Sequence, residues 1–231
     1  MFDTDLLPAQ IIFLQNPSRI RVNEIIGAIL RDLTLRRVLN VVKITSYPTD
    51  RSRKKQKYFR FAKGSAFEGY EPKIFEKSFL TPLSEDEDMI QAKILTNFVL
   101  RKYSMISGFI DEKIFAPLHK EGYISSLPIL KTFGYYSMSK KGKEIVQIAN
   151  EFVKTQEEKL ESLIDGDKGE FFNALNETGT FAFQFEKTNP KLYKNLISMV
   201  KRINRTKPLG PENDLTNFME AMNIDLSYFE E

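Results

Sequence analysis

The chain of 231 residues contains no cysteine and no tryptophan, and only one histidine. Without cysteine there are no disulfides, no thiolate nucleophile, no Cys-ligated zinc and no iron–sulfur cluster. One histidine, His119, excludes any site that needs two. Long apolar runs are missing as well: the longest stretch without a charge is Leu6 to Ser18, 13 residues, against the roughly 20 needed to cross a bilayer. The amino terminus carries Asp3 and Asp5 where a secretory signal would carry base. Gly-x-Ser-x-Gly, Walker and dinucleotide-binding fingerprints are absent. These absences argue for a cytoplasmic protein that is not an enzyme, with no cofactor and no metal.

What is present is an ordinary globular composition, 42% hydrophobic and 28% charged, with a net charge of only +3. That small sum hides an alternation. Residues 19–63 carry 13 Lys/Arg against three acids, 91–143 and 187–211 are also basic, and the blocks between them are acidic. A basic block can follow a phosphate backbone or an anionic membrane surface, or it can be covered by the acidic blocks of its own chain.

Periodicity predicts a buried helix over 6–15, stopped by Asn16-Pro17, and a second helix from Val22 to about Arg37 with Ile25, Ile26, Ile29, Leu30 and Leu33 inward. Residues 38–45 and 57–62 read as two strands of a hairpin. A polar, acidic connector follows. Ser84 and Glu87 have capping-box spacing and are expected to open a helix with Ile90, Ile94, Leu95, Phe98 and Val99 inward. A short helix is expected over 109–120, kinked by Pro117, then a strand over 132–138, and a long helix from Ser139 to Ile164 with Gln156 interrupting its apolar stripe. The rest, 165–231, reads as helical, with Leu192, Leu196, Met199, Val200 and Ile203 on one face. The expected class is α+β, predominantly helical. It comprises two winged-helix-like units, 1–64 and 80–164, and a helical carboxy-terminal region, 165–231.

The segment Tyr135-Tyr136-Ser137-Met138-Ser139-Lys140-Lys141-Gly142-Lys143-Glu144-Ile145 resembles the junction between wing and last helix in the MarR and PadR regulators. Residues 27–39 are similar to a segment of the Golgi phosphoprotein family and related bacterial winged-helix repeats, with Arg37 where glycine is usual. The first resemblance implies DNA binding in transcription regulation by a helix-turn-helix and a basic wing, commonly as a homodimer, here through helix 139–164. The second implies an adaptor docking on a partner protein or an anionic membrane surface. Under either, the contacts fall on the first wing.

Five Lys/Arg occur in the seven residues 51–57. Arg51, Arg53, Lys54, Lys55 and Lys57, with Arg60 beyond them, are the candidate nucleic-acid or anion-binding residues. Residues 109–120 hold no Arg, Asn or Gln, the side chains that most often read bases, which counts against sequence reading by the second unit. Asp165-Gly166-Asp167 does not continue as a calcium loop and reads as a helix-breaking turn.

Overall fold

The computed structural model describes residues 4–17, 22–46, 56–84, 89–103, 106–125, 137–205 and 215–224. The protein is α+β and predominantly helical, with one three-stranded antiparallel sheet among the described residues. In chain order the elements are α1 (Pro8–Gln15), α2 (Val22–Leu35), β1 (Leu39–Ser46), β2 (Gln56–Lys63), α3 (Lys77–Ser84), β3 (Met89–Gln91) and α4 (Ala92–Tyr103). Then follow α5 (Ile106–Ile110), a π-helical turn (Asp111–Phe115), α6 (Ala116–Lys120) and α7 (Lys140–Leu163). The carboxy-terminal part holds α8 (Lys168–Thr178), a 3-10 segment (Gly179–Gln184), α9 (Phe185–Thr188), α10 (Pro190–Arg205) and α11 (Thr216–Met222).

Helix α2 is the centre. Ile25, Ile26, Ala28, Ile29, Leu30 and Leu33 are all buried, because α1, α11, β1 and the 3-10 segment surround it. Burying so much of a 14-residue helix removes it from water on nearly every side. It ends in a tight cap: Val38 N–H donates to the Leu33 carbonyl at 2.9 Å and Arg37 N–H to the Thr34 carbonyl at 3.0 Å. That pattern needs a left-handed residue at Arg37, whose φ is 59°, a conformation normally left to glycine.

β1 and β2 pair from Leu39↔Lys63 to Ser46↔Gln56, and β3 joins β2 only over Arg60↔Gln91 to Ala62↔Met89. Leu39, Val41, Phe61 and Ile90 line the core face. β1 is an outer strand, and its Val41 N–H donates to Glu220 Oε2 of α11 at 2.8 Å.

Four expectations need correction, three of them around α3 and α4 and the fourth at Gln156. The acidic connector contains α3, anchored by buried Phe75, Phe79, Leu80 and Leu83, with Pro82 inside it. Ser84 closes that helix instead of opening the next one, and Glu87 lies outside the described residues. Ile90 belongs to β3, and α4 starts at Ala92 with Ala92, Leu95 and Val99 inward, leaving Ile94 (49%) and Phe98 (39%) exposed. Pairing of β3 with β2 fixes the phase of α4, and of two interleaved i, i+4 stripes only one faces the core.

The helix over 109–120 forms from Ile106 to Lys120, and Pro117 is accommodated by a wide turn in which Ala116 N–H donates to the Asp111 carbonyl. Residues 132–136 of the expected strand lie outside the described residues, and Met138 makes an antiparallel bridge with Ile124. Ser139 caps α7, accepting from Gly142 N–H at 3.1 Å while its hydroxyl donates to the Gly122 carbonyl at 2.6 Å. Gly142 lies against the Tyr123 backbone so closely that a β-carbon there would fall under 3.0 Å from the carbonyl. Gln156 does not interrupt the inward stripe but belongs to it, buried with Ala149, Val153 and Leu160 and accepting from Thr178 Oγ1 at 3.3 Å. Gly179, in the left-handed region at φ 56°, ends α8, and α10 buries the five residues expected of it.

Candidate polyanion-binding hairpin

The hairpin β1–β2 starts in the core and leaves it. At its base Leu39, Val41 and Phe61 are buried. One rung further on the same face stand exposed Lys43 and half-buried Phe59, with the Lys43 ammonium 5.7 Å from the Phe59 ring centroid. On the opposite face Arg60 is half-buried, paired across the ladder with Val42 on one side and Gln91 on the other. No third strand accompanies the rungs from Lys43↔Phe59 to Ser46↔Gln56 among the described residues. At the base, Lys63 lies 5.4 Å from the Phe67 ring.

Of the candidate residues, Arg51, Arg53, Lys54 and Lys55 lie outside the described residues. They belong to the segment that connects the ends of β1 and β2 in sequence. Lys57 sits on β2 opposite Thr45, and Arg60 sits where the third strand begins. The hairpin thus brings Lys43, which sequence reasoning did not single out, into the same ladder as Lys57 and Arg60. The alternation visible in the sequence, Lys43 two residues beyond buried Val41, could have pointed to it.

The strongest electrostatic feature lies elsewhere, where α2 ends. Arg36 donates through Nη2 to Glu76 Oε1 and through Nη1 to the Tyr70 hydroxyl, and pairs with Asp32 Oδ2 at 2.6 Å. Tyr70 OH donates to Glu76 Oε2 at 2.9 Å, which also accepts from Lys73 N–H at 2.7 Å. Thr180 Oγ1 donates to Asp32 Oδ1 at 3.0 Å. Two carboxylates facing one guanidinium are tolerable out of water only because each is hydrogen-bonded more than once. Burial holds the Asp32 carboxyl above its ordinary range although Arg36 and Thr180 pull it down, and burial together with Glu76 pushes the Tyr70 phenol up to about 12. With its acceptors filled, this cluster ties α2, the segment before α3 and the 3-10 segment together.

His119 stacks on Phe115 at 5.9 Å between ring centroids, a structural placement. Asp167 accepts from Gly169 and Glu170 N–H, both at 2.8 Å, as the cap of α8. Among the described residues no group of three His, Cys, Asp or Glu is arranged to hold a metal ion, and no helix is long and apolar enough to cross a membrane. The inward stripe of α7 is covered by α1 and α8 of the same chain, leaving Ile148 as its exposed large apolar residue. No family model, curated protein or solved structure matches the chain.

Proposed function

We propose that this is a non-enzymatic nucleic-acid-binding protein of the cytoplasm with a regulatory role, gripping the phosphate backbone through the β1–β2 hairpin. One observation carries the reading. The hairpin departs from the core beyond the Val41–Phe61 rung, places Lys43, Lys57 and Arg60 on its two strands, and is connected through the run of five cations in 51–57. Cations on a narrow, two-stranded projection reach phosphates without ordering a wider surface. Within the expected second unit, 80–164, the order α4, α5–α6, the Ile124–Met138 bridge and α7 follows the helix, helix, strand pair, helix order expected of a winged-helix-like unit. β3 of that unit pairs with β2 of the first, 1–64, and 165–231 is the helical carboxy-terminal region of the same reading. A homodimer through helix 139–164 belongs to the same reading, with Ile148 as its exposed apolar contact.

A second reading, an adaptor docking on a partner protein or an anionic membrane, is favoured by the outward pair Ile94 and Phe98 on α4. Binding of duplex DNA and of phosphatidylserine vesicles, each across a salt series, separates the two. DNA binding that falls steeply with salt, without comparable vesicle binding, supports the first. Vesicle binding alone overturns it.

A further inference from the structure

A cleft of about 390 Å³ opens between α1, α2, α7 and the 3-10 segment, and it shares no residue with the hairpin. Its floor is apolar, with Ile12, Ala28 and Phe183. Over that floor lies Arg31, its guanidinium carbon 4.5 Å from the centroid of the Phe183 ring. Stacking of this kind fixes the plane of the guanidinium and leaves its N–H donors directed sideways.

Those donors are unused. Arg31 Nε is buried without an acceptor, and no carboxylate pairs with the guanidinium among the described residues. Burial lowers its proton affinity while Tyr193 and Glu186 partly restore it. Arg36, five residues on, meets two carboxylates and a phenol through its Nη groups, whereas no carboxylate or hydroxyl pairs with those of Arg31 among the described residues; the Nε of each is buried without an acceptor. An arginine N–H buried without an acceptor costs stability, and its place beside a concave site suits a ligand that completes it.

The rim says what. Glu24 is taken by Lys187 at 2.6 Å, so Glu186 is the remaining carboxylate of the cleft, and the four charged lining residues cancel. Three carboxamides form a directed chain, Gln184 Nε2 to Gln15 Oε1 at 2.9 Å and Gln15 Nε2 to Asn150 Oδ1 at 2.8 Å. This direction leaves the Gln184 oxygen as an acceptor at one end and the Asn150 amino group as a donor at the other. A phosphate dianion would face Glu24 and Glu186, whereas a ligand carrying one anionic and one cationic group meets a partner for each.

We propose that this cleft binds a small zwitterion of the α-amino acid type, its carboxylate on the free donors of Arg31, its ammonium toward Glu186 and the Gln184 oxygen, and its carbon skeleton on the Ile12–Ala28–Phe183 floor.

The test uses the full chain and measures melting temperature and calorimetric binding with each standard L-amino acid in turn, with the matching amino-acid amide and with acetate. At least one amino acid raises the melting temperature and its amide, which lacks the carboxylate, does not. Arg31→Lys, which keeps the charge but not the planar fork, weakens that binding by roughly tenfold or more, the change expected of a charge-assisted hydrogen bond. Glu186 is exposed, so Glu186→Gln leaves the fold intact and supplies the same reading should Arg31→Lys fail to fold. It weakens the amino acid and leaves acetate unchanged. If no amino acid shifts the wild type, or if the amide binds as well as the acid, or if neither variant alters affinity, the proposal is wrong.

Discussion

The backbone carbonyl of Arg37 occupies the place where a β-carbon on residue 64 would stand, so the end of α2 and the end of β2 meet at a glycine for want of room. The approach is fixed from both sides: Gly64 N–H donates to the Val38 carbonyl and Ala66 N–H to the Arg37 carbonyl, each at 2.9 Å. Arg37 itself pays for the turn with a left-handed backbone.

These two residues respond to substitution in opposite directions. Gly64→Ala must displace backbone and is expected to cost about 1–3 kcal/mol, as overpacking does. Arg37→Gly relieves a left-handed side chain and is expected to gain about 1 kcal/mol. Gly142→Ala, in the first turn of a helix where alanine ordinarily helps by up to about 1 kcal/mol, is expected to destabilise because of the Tyr123 carbonyl. Urea melts of the three variants check the signs, and a stabilised Gly64→Ala would refute the close approach.

The Arg36 cluster sets a pH signature. The raised carboxyl of Asp32 means that the folded state holds this proton more tightly than the unfolded chain. Its contribution to stability is therefore full below the ordinary carboxylate range and is lost as pH rises through the elevated folded value. Relative to wild type, Asp32→Asn should flatten the stability profile between that range and neutrality. Arg36→Met leaves two buried carboxylates without their cation and should cost about 3–5 kcal/mol near neutral pH, less in acid. Tyr70 should ionise late, near pH 12, by tyrosinate absorbance, and Tyr70→Phe should remove that step, leaving Tyr193, which burial also raises, to titrate on its own.

The two faces of α4 should behave differently. Leu95, fully buried, is expected to cost about 2–5 kcal/mol as Leu95→Ala. Phe98→Ser, on the outer face, should change stability by no more than about 0.5 kcal/mol. Equal destabilisation in thermal melts would place both faces in the core.

For the hairpin, Arg53→Ala, Lys54→Ala and Lys55→Ala combined should flatten the dependence of log affinity on log salt for duplex DNA, by roughly one unit for each phosphate no longer neutralised. Adding Lys43→Ala should flatten it further. An unchanged slope removes the hairpin from the interface.

Where local chemistry decided the structure, the sequence was readable. α1 stops at Asn16-Pro17, α2 carries its own apolar periodicity, Ser139 announces α7 and Asn189-Pro190 announces α10. α3 escaped because it is eight residues long, contains Pro82 and follows a polar stretch. The phase of α4 escaped because Ile94/Phe98 and Leu95/Val99 have the same spacing, and only the pairing of β3 chooses between them. The burial of Glu76 and the idle donors of Arg31 depend on groups far along the chain: Arg36 is 40 positions before Glu76, and helices α3 to α8 separate Arg31 from Phe183. Composition and periodicity carry no record of such meetings.

The bond from Val41 N–H to Glu220 has a temporal side. β1 is complete by Ser46, but the helix that covers its outer edge begins only at Thr216. At ordinary rates of synthesis the ribosome needs on the order of ten to thirty seconds to make what lies between. Throughout that interval the nascent hairpin offers unpaired amides to any neighbouring chain. The last described helix is therefore a late-arriving guard, and the edge of β1 stays open to neighbouring chains until it is made.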